Sequence, residues 1–131
     1  MTRELAPLAA RHGIRPDSSD TVGAAASRLG TTPRMLRYRE TLGLVSPPRT
    51  AGGYRTYREP DLLAAALAAD LEHRYGVPPA ALAFGLRVLS DPEVAEPLRA
   101  LARLARRPAP PQIAALDFET RKGLRLLRLA G

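Results

Sequence analysis

A chain of 131 residues with 45% apolar and only 5% aromatic residues predicts one globular domain with appendages, its core filled by Leu, Ala and Val. The absence of Cys excludes disulfides, thiolate metal sites, iron–sulfur sensing and a Cys nucleophile, and two distant His residues, His12 and His73, argue against a His metal cluster. The net charge of +7 points to an acidic partner, while no apolar stretch approaches the ~20 residues that span a bilayer, and the charged start MTRELAPLAARHG does not read as a signal peptide; the expected location is the cytoplasm, with no membrane partner and no cofactor.

Residues 1–12 are expected to form a short helix, with Leu5 and Leu8 on one side. Ile14 to Asp20, with Pro16 and a Ser-Ser-Asp turn signal, reads as a linker. Val22 to Leu29 is an Ala-rich helix that Gly30 ends, and Thr32 is the expected N-cap of a second helix with Pro33 at its first position. That helix runs to about Leu42 and stops at Gly43. Two short helices joined by a tight turn make a helix-turn-helix.

Leu44 to Tyr57 contains Pro47, Pro48, Gly52 and Gly53, which forbid a helix and fit two short strands around a Gly-Gly turn. A helix restarts at Pro60–Asp61, with Leu62, Leu63, Ala66, Leu67 and Leu71 as its apolar stripe, and ends near Tyr75–Gly76. Pro78–Pro79 opens another through Leu89, and Asp91–Pro92–Glu93 caps a third that carries Val94, Leu98, Leu101 and Ala105. Pro108 to Pro111 breaks it, and a last helix is expected from Gln112 to Leu129. The expected fold is mainly α: a winged helix-turn-helix with C-terminal helices. The divisions are an extension (1–20), a DNA-binding domain (21–90) and a C-terminal helical segment for dimerisation or packing (91–131).

The positive charge is concentrated rather than spread. Residues 21–60 carry seven Arg against Glu40 and Glu59, whereas 1–20 and 61–107 are each balanced. An Arg-rich codon bias would distribute Arg evenly and leaves the balanced flanks unexplained. A basic block inside a folded segment is the footprint of phosphate binding.

The run TVGAAASRLGTTPRMLRYRETLGLVSPPRTAGGYRTYREPDLL resembles the DNA-binding domain of MerR-family regulators in order, spacing and residue type. The likeness extends through EHRYGVPPAAL, to about residue 90. It implies a double-stranded DNA partner, a transcriptional role, a homodimer built on a helix after the DNA-binding domain, and promoter DNA bent and untwisted for RNA polymerase. Two departures stand out: Arg39 replaces the family's usual second aromatic, and Arg58 stands where a Ser-like cap often precedes the next helix.

In a helix-turn-helix the second helix enters the major groove with its N-terminal residues facing base edges. Arg34, one residue past Pro33, is the expected base-contacting residue, because Arg donates two hydrogen bonds to guanine. Arg37 and Tyr38 are expected on phosphates, with an Arg37–Glu40 surface pair and a core role for the Tyr38 ring as alternatives. Arg39 adds a further positive charge toward phosphate. In the wing, Gly52 and Gly53 permit a tight turn, Arg49 and Arg55 reach flanking phosphates or the minor groove, and Tyr54 resembles the family's wing aromatic. Tyr57 fits wing-to-core packing better than DNA contact.

Val94, Leu98, Leu101 and Ala105 form the expected dimer stripe, with intrachain packing as the alternative. About forty residues after the DNA-binding domain are too few for a large ligand-binding domain. Paired carboxylates in a cleft, a nucleophile–His arrangement and a phosphate-binding Gly loop are all missing, so an enzyme is not expected. The competing class is an architectural or excisionase-like winged-helix accessory protein that binds DNA without meeting polymerase.

Overall fold

The computed structural model describes residues 5–106, so the helix expected at Gln112–Leu129 lies outside the described residues. The chain forms two compact units, Met1–Ser90 and Asp91–Gly131. In the first, α1 (Leu5–His12) leads to β1 (Ser19–Asp20), α2 (Val22–Leu29), α3 (Pro33–Thr41), β2 (Tyr57–Arg58), α4 (Glu59–Tyr75) and α5 (Pro79–Ser90). The described part of the second unit holds α6 (Pro92–Leu104). The fold is a mainly helical winged helix-turn-helix followed by further helices.

Local signals set the ends of α2 and α3. The Thr21 hydroxyl accepts from the Ala24 amide at 3.2 Å, and the Thr32 hydroxyl accepts from the Met35 amide at 3.1 Å. Each satisfies an amide that the first helical turn leaves without a partner. Gly30 closes α2 at φ +66°, and the next amide, Thr31, reaches back to the Ala26 carbonyl at 2.9 Å. This turn is short because glycine adopts the left-handed conformation without a Cβ penalty.

The core sits where α3, β2 and α4 meet: Leu36, Tyr57 and Leu62 have no solvent exposure. Burying a side chain such as Leu36 contributes about 1.5–3 kcal/mol. Ala25 and Ala26 are also buried, and their small side chains let α2 approach α3 and α4 closely. Leu8 of α1 and Ile14 belong to the same cluster, so residues before α2 form one wall of this core.

The stretch read as a linker contains a strand. Ser19 and Asp20 pair antiparallel with Arg58 and Tyr57, tying the chain before α2 to the strand that enters α4. Arg28 reinforces this corner. Its guanidinium donates to both Asp20 carboxylate oxygens, at 2.7 and 3.2 Å, and to the Gly13 carbonyl at 2.7 Å. The nearby Asp20 holds the Arg28 guanidinium above its ordinary pKa.

At the start of α4, Arg58 has no capping side chain, and Asp61 takes over that role by accepting from the Arg58 amide at 3.0 Å. In the second unit, Asp91 caps α6 by accepting from the Glu93 amide at 3.0 Å. Leu98, Leu101 and Leu104 of α6 are exposed, at 36%, 58% and 82%. Among the described residues no helix is long and apolar enough to cross a membrane.

Candidate nucleic-acid interface

The Thr32 cap fixes the first turn of α3 and with it Arg34. Arg34 is exposed, and with Thr32, Met35 and Tyr38 it lines an open hollow of about 340 Å³. Tyr38 is 44% exposed, so its ring belongs to this surface rather than to the core. Thr32 was read from sequence only as a helix cap and Met35 was not singled out, although the i, i+3 spacing from Thr32 to Met35 and from Met35 to Tyr38 places them beside Arg34. Neither Arg34 nor Arg37 has a side-chain hydrogen bond or ion pair among the described residues. Two unpaired guanidinium groups on an exposed helix are free to meet an anion.

Arg39 does not join them. It is 6% exposed, and its Nε and Nη2 donate to the two Glu72 carboxylate oxygens at 3.1 and 2.8 Å. This corrects the expectation that Arg39 adds charge toward phosphate: its guanidinium points inward and its charge is matched by Glu72 of α4. The physical reason is helical phase. Arg39 follows the buried Leu36 by three residues and therefore shares its core-facing side. The position resembling an aromatic site is interior, and an Arg can occupy it only with a fully bonded carboxylate beside it.

The wing is a narrow hairpin. Arg49 and Arg55 face each other across it, the Thr50 amide donates to the Tyr54 carbonyl at 2.7 Å, and the Thr56 amide donates to the Pro48 carbonyl at 2.8 Å. Gly53, at φ +84°, turns the tip, and its amide donates to the Thr50 carbonyl at 2.9 Å. Arg49 Nη1 donates to the Gly53 carbonyl at 3.0 Å, laying that side chain across the turn. Tyr54 is 77% exposed.

Wing and α3 share a cleft of about 180 Å³, lined by Thr21, Val22, Arg37, Gly53, Tyr54 and Arg55. Arg55 Nε donates to Glu40 of α3, so Glu40 pairs with the wing and not with Arg37. Tyr57 follows the hairpin, and its hydroxyl is buried with no hydrogen-bond partner among the described residues. Burial, followed by the negative charge of Glu40, pushes its pKa above the ordinary value of 10.0.

A family model described as MerR family regulatory protein matches residues 21–57, from the Thr21 cap through the wing to Tyr57. Residues 21–57 thus match the MerR family in sequence, and they fold here as a helix-turn-helix with its wing. A curated relative is an uncharacterized HTH-type transcriptional regulator of Pseudomonas aeruginosa, 50% identical over 42 residues. That match covers 31% of this chain and spans about a third, 32%, of the relative's length. Among solved structures, the chain is similar to HiNmlR, described as a MerR family regulator lacking the sensor domain, bound to promoter DNA. There the identity is 20% and the TM-score 0.45, over 86% of this chain and 83% of the other.

Proposed function

We propose that this chain is a sequence-specific double-stranded DNA-binding transcriptional regulator of the MerR type. The observation that carries the reading is the convergence of α3 and the wing on one surface. Arg34 and Arg37 have no side-chain partner among the described residues, and Arg37 shares a cleft with Tyr54 and Arg55 of the hairpin. An exposed Arg in the first turn of the second helix suits bidentate contact with a guanine, while the cleft suits the backbone alongside.

The chain acts as a homodimer and distorts promoter DNA so that RNA polymerase can engage it. Dimerisation is supported by the exposed apolar row of α6, which runs through Leu98 and Leu101 in line with Val94 and Ala105. Two copies would read paired half-sites. Distortion draws on DNA deformability at positions the protein does not touch.

Selection of bound duplexes from a random library, followed by titration of the best duplex, tests this reading. A recurrent palindromic site is expected, bound by a species of twice the chain mass in light scattering. Arg34→Ala should cost about 1–3 kcal/mol on that site and relax discrimination at one base pair. Selection that returns no preferred sequence would refute sequence-specific regulation; a monomer mass on the bound site would refute the dimer.

A further inference from the structure

Glu40 is an acid in the middle of a basic block, on the helix expected to meet DNA. Simple electrostatics makes it a liability there. Its geometry suggests a task. It accepts from Nε of Arg55, the inner edge of the guanidinium, and both side chains are largely withdrawn from water, at 27% exposed for Arg55 and 24% for Glu40. The two terminal nitrogens of Arg55 make no hydrogen bond to any described residue. The guanidinium is a rigid plane, so fixing its Nε edge fixes the direction of its outer donors. Arg55 lines the cleft shared with Arg37, Gly53 and Tyr54.

We propose that Glu40 is a positioning residue: it holds Arg55 by one edge so that the free edge, with Arg37 across the cleft, clamps a single backbone phosphate of duplex DNA. This rests on the DNA-binding reading above and adds to it a named phosphate site and an acid that strengthens binding. The wing hairpin is narrow, and the pair gives it a side-chain tie to α3. Without Glu40, Arg55 keeps its charge but samples many rotamers, and the ordering cost falls on the binding step.

The test is a salt series of fluorescence-anisotropy titrations of the full chain on the selected duplex. Glu40→Gln should weaken binding about tenfold, the range of one charge-assisted hydrogen bond, although it removes a negative charge from a DNA-facing helix. The slope of log K against log salt should change by less than about 0.9, the value of one phosphate contact, because Arg37 still meets the same phosphate. Arg55→Ala should match it, and the double variant should be no worse than either single one. Arg55→Lys keeps the charge on an exposed hairpin and should still lose most of the effect, because an ammonium has no second edge to present; it also covers the case in which Glu40→Gln fails to fold.

Tighter binding by Glu40→Gln, or Arg55→Lys binding like the parent, overturns the positioning role while leaving DNA recognition intact. Failure of the parent chain to bind any duplex overturns both.

Discussion

Helix α3 and the wing face the same cleft, yet they are held by different means. Helix α3 is anchored from below by Leu36, with no exposure, and by the two-bonded Arg39–Glu72 pair to α4. The wing hairpin has backbone bonds at Thr50–Tyr54 and Pro48–Thr56, a turn at Gly53, and the Arg55–Glu40 tie. One element takes its orientation from the core, the other from a few contacts near the surface. Damage to the first should therefore unfold the domain, while damage to the second should weaken DNA binding and leave the domain folded.

The sharpest way to break that contrast is Arg39→Ala. It strands Glu72 in a site where its side chain is only 12% exposed, and is expected to cost about 3–5 kcal/mol in urea denaturation. Replacing Arg39 and Glu72 together with apolar residues of similar volume should restore most of that loss. A single variant as stable as the parent would show that α3 is not anchored through this pair.

The wing offers the complementary case. Gly53→Ala meets no atom within 4 Å, so its cost is conformational alone, about 1–2 kcal/mol for a non-glycine residue at φ +84°. The thermal midpoint should move little, because the hairpin can relax locally, and duplex affinity should fall about five- to thirtyfold if that strain is charged to the bound state. A large drop in the midpoint with unchanged affinity would reverse the contrast.

Tyr57→Phe gives the smallest effect, and its sign is informative. The buried hydroxyl has no partner among the described residues, so its removal should stabilise by about 1 kcal/mol. The raised pKa adds a pH signature. The folded chain keeps this proton more tightly than the unfolded one, so the contribution is fully present below about pH 10 and is lost as pH climbs through the raised folded value. In stability measured against pH, the parent should decline on that alkaline limb and the Phe variant should decline less.

What the sequence revealed follows from the range of each cause. Gly30, Thr32 and Gly43 act on amides and carbonyls within five residues, and the end of α2 and the bounds of α3 were legible from them; the Thr21 cap was not read. Strand β1 was not, because Asp20 has its ladder partner at Tyr57, and a Ser-Ser-Asp segment carries no strand propensity of its own. Arg34, Arg37, Tyr38, Arg49 and Arg55 were read from spacing and Tyr54 from the family resemblance, and all lie on α3 or the hairpin. Arg39 was misread because its partner, Glu72, lies 33 residues on, although its three-residue step from Leu36 already marked the inward side. Glu40 entered the sequence reading only in the alternative of a pair with its neighbour Arg37, and its partner in space is Arg55.

The corner built by Arg28, Asp20 and Gly13 has a consequence for where this module may be cut. The recognisable family segment starts at residue 21, but the carboxylate that Arg28 grips sits at residue 20 and the carbonyl at residue 13. Leu8 and Ile14 close the same core from the N-terminal side. The unit of ancestry and the unit of folding thus have different edges. A fragment trimmed to the matched residues would keep α2, α3 and the wing and lose a wall of the core that supports them.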